Sequence, residues 1–591
     1  VKSGGININN DYGKKLKLNL AYFYGNTITN NETKNLNEQS ITNTIITSFR
    51  TDQARRNATT HSLGGLVEWK PDTTESIRYR PALTFSPERY RYSSFLKQSN
   101  TQLPELSETD GRNRSRTGNN AFSHNLTYYK RFKKGRSLTI NNQLNLNNGN
   151  TETYNYNQLT SFSSELESSL FDRYIKNGSK TTGGGLSILY NLPLSKRLTA
   201  ELFSNSRYYY WAEPLSTFDV NSTSGNYDQF RAEQSNDFER TGFFQNLKPL
   251  LNYQISANLR VRVAIDLEIQ NVNNKFNTSA NDIRQRFTVW FPSLAIDYSG
   301  FSMSYFESID VPTIYNMQPL SRELSAQYTF IGNPKLIASR QRFLRANYYQ
   351  YITSRLLSIS GYANSTFSDN NFVQKAVIDD KGFTAATVVN KDGGQWINGG
   401  GSIGKQFKKS KAWQIGLRTG FFGSYNSRIV FLNNDEARQR IRAFGVTQDF
   451  TLNYKSVAMV NFNYMYQRSL VDYLNQDFNS VINYSHRLGG SSSLRLPNRI
   501  VIDAKYSFIY NPQIAQGFPR SSHIVDLAVS LLTHKKDRGQ LKLSVYDLLN
   551  QNISVTRYGY LNALITNEQL ILKRYVMLNY QYRFNILKRK N

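Results

Sequence analysis

Between residues 259 and 270 the chain alternates. Leu259, Val261, Val263, Ile265, Leu267 and Ile269 are apolar, while Arg260, Arg262, Ala264, Asp266, Glu268 and Gln270 are small or polar. Successive side chains of a strand point to opposite faces, so this period of two predicts a strand with one greasy and one polar side. The pattern returns all along the chain. Leu16, Leu18, Leu20, Tyr22 and Tyr24 oppose Lys15, Lys17 and Asn19, and Leu138, Ile140, Leu144 and Leu146 oppose Thr139, Asn141, Gln143 and Asn145. Ile500, Ile502, Ala504, Tyr506 and Phe508 oppose Asp503, Lys505 and Ser507. Near the end Val576, Leu578, Tyr580, Tyr582 and Phe584 oppose Asn579, Gln581 and Arg583. Recurrence on this scale predicts an all-β fold: a large transmembrane antiparallel β-barrel, with lipid outside and water or a plug inside.

The punctuation supports that reading. Tight polar turns fall near residues 11–14, 71–75, 133–136, 194–197, 256–258, 298–300, 353–355, 408–411, 455–457, 497–499 and 535–539. Between them lie pairs of alternating strands joined by longer segments, predicted as loops at 91–117, 150–180, 212–238, 307–339, 366–390 and 427–437. Short periplasmic turns and long extracellular loops are the asymmetry of outer-membrane barrels. A direct tally gives about 23 strands, which places the barrel at about 22 strands within a range of 20–26, since single-chain bacterial barrels have even counts. Residues 1–10 read as a descending strand without an ascending partner, so at least one further strand is expected upstream of Val1.

Composition changes the picture little. The mean hydropathy of −0.55 suits a barrel, in which only alternate residues of the crossing segments need be apolar. No run of 18 apolar residues occurs, which excludes transmembrane helices. No composition shift divides residues 1–591, so a single barrel domain is expected, with an N-terminal plug upstream. Thirty-nine Tyr and 35 Phe supply amphipathic aromatics for two interfacial girdles. The absence of Cys removes disulfides, thiolate metal sites and cysteine nucleophiles. The first residue follows no signal peptide, which reads as a mature or shortened chain.

A net charge of +29 is distributed partly at turns, as at Lys133, Lys134 and Arg136 or Lys196 and Arg197. Solvated turns, lumen-facing charge and charge against lipid headgroups and lipopolysaccharide account for it, with an anionic cargo as the alternative. No nucleic-acid module is present.

Two segments resemble a known family. Residues 310–336 run from Asp310-Val311-Pro312 to Phe330-Ile331-Gly332-Asn333-Pro334-Lys335-Leu336, similar to the "GNPxLxPE" segment of TonB-dependent outer-membrane receptors of the Bacteroidetes type. The match covers Gly332, Asn333, Pro334 and Leu336, then departs at Ile337-Ala338-Ser339. Val545-Tyr546-Asp547-Leu548-Leu549-Asn550-Gln551-Asn552 resembles the penultimate-strand motif of those barrels, carried by Asp547, Leu549 and Asn550. Tyr580, Tyr582 and Phe584 resemble their closing strand, read as an insertion signal. The resemblance implies integral outer-membrane location, a plug-gated barrel, energy delivered by the TonB system, and a surface lipoprotein lid as partner. Its implied function is uptake of a large or scarce nutrient. The rival is a non-transporting barrel that serves as a structural or assembly subunit of an envelope complex.

Catalytic chemistry is not legible. Gly399 to Lys405 stops one residue short of a P-loop, with Gln406 where Ser or Thr must hold magnesium, and reads as small residues of a strand. Gly183, Gly184 and Gly185 read the same way. His61, His124, His486, His523 and His534 lack metal-ligand spacing, so no metal, cofactor or enzymatic activity is expected. Candidate contacts for a ligand or partner are loop aromatics: Tyr208, Tyr209, Tyr210 and Trp211 at a strand end, Trp396 beside two glycines, and Tyr315, Tyr328 and Phe330. For Tyr208 to Trp211 a girdle cluster at the membrane boundary is preferred over a stacking platform for a flat ligand. Trp396 carries the same two readings, and Tyr315, Tyr328 and Phe330 are placed to contact a plug, a ligand or a lid protein.

Overall fold

A computed structural model describes residues 1–41, 44–164, 166–276, 282–319, 321–325, 327–379, 383–408, 410, 412–432, 434–474, 480–534, 537–560, 563–570 and 574–583. Its main element is a 27-stranded sheet whose neighbours along the chain pair antiparallel. Two of those strands, Glu75–Phe85 and Glu88–Ser99, are halves of one interrupted crossing, and Gln229–Phe230 is a two-residue extension. Two more, Ile553–Tyr560 and Ala563–Leu570, form a loop hairpin. That leaves 23 wall crossings among the described residues.

The greasy face points outward. In Leu259–Phe276, Val263 and Ile265 are 50% and 51% exposed, whereas Ala264 and Val272 on the opposite parity are buried. Residues directly opposite on paired strands share a face, so the register carries this assignment around the wall. Leu267 faces Trp290, which is 62% exposed, and Leu251 faces Val263.

Aromatic residues bound the lipid band. At the short-turn end stand Trp69, and Trp413 with Tyr454 at 4.4 Å between ring centroids. At the other end three histidines enter tyrosine pairs, Tyr22–His61, Tyr464–His486 and Tyr506–His523, with 2.8–2.9 Å from hydroxyl to ring nitrogen. These histidines share the lipid-side parity of their strands, so they belong to the girdle. Trp69 and His61 lie eight residues apart on Thr44–Trp69, roughly 26 Å along the strand and about 20 Å vertically when tilted. Outer-membrane barrels carry an apolar band of about 25 Å.

The tight turns fall close to where the alternation predicts them. Left-handed residues make these reversals, among them Gly13, Lys134, Gly135, Leu356 and Lys455. Gly300 is obligatory twice over, with φ +90° and room for no Cβ within 2.3 Å of the Tyr349 carbonyl oxygen. The expected turns at 408–411 and 535–539 lie partly outside the described residues.

The expected loops are corrected. Strand continues through most of 91–117, in Glu88–Ser99 and Ser107–Arg131, and through most of 150–180, in Ser137–Ser161 and Ser169–Pro193. In 427–437 only residues 433 and 434 separate Trp413–Leu432 from Asp435–Tyr454. Beyond the bilayer both faces meet water, so the apolar half of the alternation vanishes while the backbone ladder persists. The wall is consequently uneven. Leu16–Ile41 and Thr44–Trp69 have 26 residues each, whereas Ile500–Tyr510 has 11 and Gly539–Tyr546 eight.

At the tall end, the hairpin Ile553–Tyr560/Ala563–Leu570 pairs along Glu32 to Gln39 of Leu16–Ile41. Arg557 fastens it, donating to the Glu38 carboxylate at 3.1 Å and the Gln513 carbonyl at 2.6 Å. The edges of Lys2–Tyr12 and Tyr575–Tyr582 have no ladder to each other among the described residues.

Candidate functional site

The long-loop end of the lumen is not open water. Two connections, 311–338 and 370–393, fold together there. They contribute Ser321–Ser325, Tyr328–Ile331, Asn371–Ile378 and Thr384–Lys391 to a separate four-stranded sheet. Tyr328–Ile331 and Thr384–Lys391 run parallel, the others antiparallel.

The wall residues that hold 311–338 have inward parity, so this connection packs on the inner face of the wall, while Lys391 of the second connection reaches Glu436 near the rim. Arg240 donates to the Pro312 carbonyl at 2.7 Å, and Gln285 to the Leu336 carbonyl at 3.0 Å. The one-turn helix Ile314–Met317, capped by the Thr313 side chain, drives Ile314 against Phe238 and Phe276. Met317 and Leu336 are fully buried with Val388. Arg173, itself buried, bonds Asp219 on the next wall strand at 2.7 Å and Glu323 on the insert at 2.9 Å. Its guanidinium also stacks over Phe171 at 3.7 Å.

The Gly-Asn-Pro-Lys-Leu segment is the latch of this insert. A Cβ at Gly332 would lie 2.5 Å from the Gln318 carbonyl oxygen and 2.9 Å from that of Asn316, both main chain. Asn333 uses its backbone N–H on the Asn316 carbonyl at 2.6 Å and its side-chain amide on the Val388 carbonyl at 3.0 Å. Pro334 turns the chain so that Leu336 drops into the cluster with Met317. The motif therefore has a packing reason: it brings two distant loops together on one wall.

Tyr315 also belongs to that latch. Its hydroxyl donates to the Glu213 carboxylate, and its ring meets Trp211 edge-on at 5.6 Å. Burial, with the adjacent Glu213 carboxylate, holds the phenol well above its ordinary range. It stays a hydrogen-bond donor at physiological pH. Phe330 packs on the Met317 cluster, and Tyr328 accepts from Gln374 at 2.8 Å.

The run Tyr208 to Trp211 lies inside Leu198–Asp219 rather than at its end, since the strand continues for eight residues past Trp211. Alternation splits the four. Tyr208 and Tyr210 face outward, Tyr208 opposite the exposed Phe243, while Tyr209 and Trp211 face the lumen. Tyr209 lies over Gly242, where its ring leaves no room for a side chain. Trp396, on Gly394–Lys408, faces inward and lines a cavity of about 410 Å³ beneath the 370–393 hairpin. The glycine-rich 399–405 segment is part of the same strand.

The second motif ends a wall strand. Asp547 follows Gly539–Tyr546 in the left-handed region (φ 49°), and its buried carboxylate accepts from the N–H groups of Gln551 and Asn552, each at 2.9 Å. Asn550 (φ 58°) receives Arg574 N–H at 3.2 Å, while Leu549 is exposed. This compact turn launches the hairpin that Arg557 fastens. Tyr580 and Tyr582 stand on the lipid-side parity opposite Leu541 and Gly539, and Phe584 lies outside the described residues.

Among the described residues no group of three His, Asp or Glu side chains could hold a metal. Sequence reading missed the register-dependent partners: Glu213 for Tyr315, Arg240 for Pro312 and Arg173 for Glu323. None has a local signal.

No curated protein matches the chain in sequence. Similar solved structures include the siderophore receptor PirA of Pseudomonas aeruginosa, 11% identical over 97% of this chain and 79% of that one, with a TM-score of 0.39. The ferripyoverdine receptor of the Pseudomonas aeruginosa outer membrane is 9% identical, over 94% and 76%, with a TM-score of 0.46. The RagAB peptide importer in its closed-closed state is 10% identical, over 95% and 76%, with a TM-score of 0.44. The model of a family of outer membrane β-barrel proteins matches residues 129–582, most of the chain. With its girdled, lipid-facing wall, the chain is an integral outer-membrane protein and belongs to the outer membrane protein beta-barrel family.

Proposed function

We propose that this barrel is a TonB-dependent transporter for a large or scarce nutrient, and that the 311–338 and 370–393 insert is the element its cargo must move. The observation that carries the reading is the latch itself. Barrels with more than 20 strands enclose a lumen too wide to fill with their own side chains, and here loop sheet is folded inward and locked against the wall. A diffusion pore gains nothing from such an obstruction. A gated receptor does, because cargo that competes for Trp211, Tyr315 or Trp396 would be coupled to release of the insert. A surface lipoprotein over the mouth fits the same reading.

The test is uptake of labelled ferric siderophores and oligopeptides by cells with and without the protein, and with and without TonB. Uptake that requires both supports the proposal, and uptake indifferent to TonB overturns it. The scaffold reading draws on one observation, the tall wall between residues 16 and 219, which offers an envelope partner a broad extramembrane face. Stable co-purification with other envelope proteins, without TonB-dependent uptake, would favour it.

A further inference from the structure

A cleft of about 860 Å³ opens on the outside of the barrel. It lies along the tall wall, on the face continuous with the lipid-facing residues Leu63 and Val67. Register builds it. Arg55 is directly opposite Arg91, and Arg91 is directly opposite Arg114, so three guanidinium groups from three adjacent crossings stand in one row. The row continues into Tyr154 and then Tyr174.

Such a row is anomalous. Directly opposed side chains have Cβ atoms about 5 Å apart, and like charges there are destabilising. The neighbouring row also opposes two arginines, Arg89 and Arg116, but it contains a carboxylate, with Arg116 opposite Glu152 and Glu152 opposite Lys176. The carboxylates closest to the arginine row are engaged elsewhere or lie diagonally. Asp110 pairs with Arg112 at 2.7 Å, Asp172 accepts the Tyr227 hydroxyl at 2.9 Å, and Glu32 is one row away, opposite Gln53. Arg55, Arg91 and Arg114 make no ion pair among the described residues, and all three are exposed.

The far side of the cleft is aromatic. Tyr154 meets Tyr227 edge-on at 5.4 Å and Tyr174 at 4.9 Å. Arginines that form bidentate contacts with phosphate, beside tyrosine faces that stack on sugar rings, are the chemistry of a phosphorylated saccharide. The position narrows the source. Arg55 lies six strand residues beyond His61 of the girdle, roughly 20 Å along the strand and about 15 Å vertically. Phospholipid headgroups add only about 5–8 Å to each side of the hydrocarbon core. An arginine side chain reaches down part of that gap, but the cleft as a whole stands at the level of a lipid-linked sugar.

We propose that this cleft binds the phosphorylated sugar headgroup of an outer-leaflet glycolipid, the lipopolysaccharide of the membrane in which the barrel sits. The ligand supplies the negative charge that the Arg55–Arg91–Arg114 row lacks. It also tethers the tall wall to its surroundings. The assignment rests on outer-membrane location alone and does not depend on transport.

Native mass spectrometry of the full-length detergent-purified protein tests it, titrated with short-chain lipopolysaccharide, the same material stripped of phosphate, phosphatidylglycerol, and inorganic phosphate. The wild type should bind phosphorylated lipopolysaccharide at least tenfold tighter than the stripped form. The Arg55→Gln, Arg91→Gln, Arg114→Gln triple variant should lose that preference, while Lys133→Gln, Lys134→Gln, Arg136→Gln, an equal charge change at the short-turn end, should keep it. The single Arg91→Gln variant reads the centre of the row should the triple variant not fold. Unchanged binding by these row variants overturns the proposal, as does equal loss in the turn variant. Competition by phosphatidylglycerol or inorganic phosphate as effective as lipopolysaccharide also overturns it.

Discussion

Replacing Gly332 by alanine should unlock the lumen insert while leaving the barrel wall intact. The added methyl would sit 2.5 Å and 2.7 Å from the Gln318 carbonyl oxygen and amide nitrogen, and 2.9 Å from the Asn316 carbonyl oxygen. All three are backbone atoms of a turn closed by its own hydrogen bonds, so no flexible side chain can yield. The chain must separate there. Separation removes the hydrogen bonds from Asn333 to Asn316 and Val388 and from Gln285 to Leu336. It also uncovers Met317 and Leu336, which are 0% and 1% exposed. Three hydrogen bonds at about 1 kcal/mol each and two buried side chains at about 1.5–3 kcal/mol each set a ceiling of roughly 6–9 kcal/mol. Partial relaxation recovers some of this, and a net loss of about 4 kcal/mol corresponds to roughly a thousandfold in an opening equilibrium. Hydrogen exchange should therefore show protection in 314–336 and 384–390 falling by two to three orders of magnitude. The amides of Leu259–Phe276 should keep theirs, and heat-modifiability on gels should persist. Unchanged exchange in 314–336 would refute the latch, and uniform loss through the wall would show that insert and barrel are one cooperative unit.

Four further outcomes are expected. Val263→Lys places a charge in mid-lipid and should cost about 2–4 kcal/mol in barrel stability, whereas Arg262→Gln, on lumen-side parity, should cost under about 1 kcal/mol; denaturant titration in vesicles decides between the faces. Tyr315 is raised on folding, so its contribution is complete below the ordinary tyrosine value and fades only as pH climbs above it; proteolysis of 311–338 should be flat between pH 6 and 9 and rise in stronger alkali. Arg557→Met should weaken the hairpin on Leu16–Ile41 by about 2–3 kcal/mol, read as faster exchange in 553–570 alone. Excising 221–234, which leaves both flanking wall strands whole, should reduce uptake without preventing membrane insertion; unaltered uptake would remove that loop from the cargo path.

What could be read from the chain follows the solvent. Where lipid meets the wall, the requirement for apolar residues at every second position is strict, and Leu259 to Gln270 displays it openly. Above the bilayer that requirement lapses, and stretches such as Arg112 to Thr117 or Glu152 to Gln158 look like loop although they are ladder. The aromatic candidates met a different obstacle. Tyr208 to Trp211 are adjacent in sequence, but the pleat sends alternate members to opposite sides of a wall. Gly332 and Asn333 were recognisable by resemblance, yet their purpose needed Asn316 and Val388, which arrive from elsewhere in the loop and from a second loop. The Arg55–Arg91–Arg114 row is invisible without register, because each member looks like one more surface arginine.

The uneven wall also aims the mouth. Twenty-six residues extend roughly 86 Å along a strand, and eleven about 36 Å; at a 40° tilt these two crossings differ by nearly 40 Å in length along the barrel axis. The rim is therefore high on the tall flank and low in the sectors beside it. A solute skimming the cell surface from the low sector meets an opening, and one arriving from the high sector meets a parapet. Capture becomes a matter of azimuth, which a level-rimmed pore never experiences. Molecules crowded against the low sector would throttle entry, while the same crowd against the parapet would leave it untouched. Any anchorage of the tall flank would fix that compass bearing relative to the barrel's neighbours.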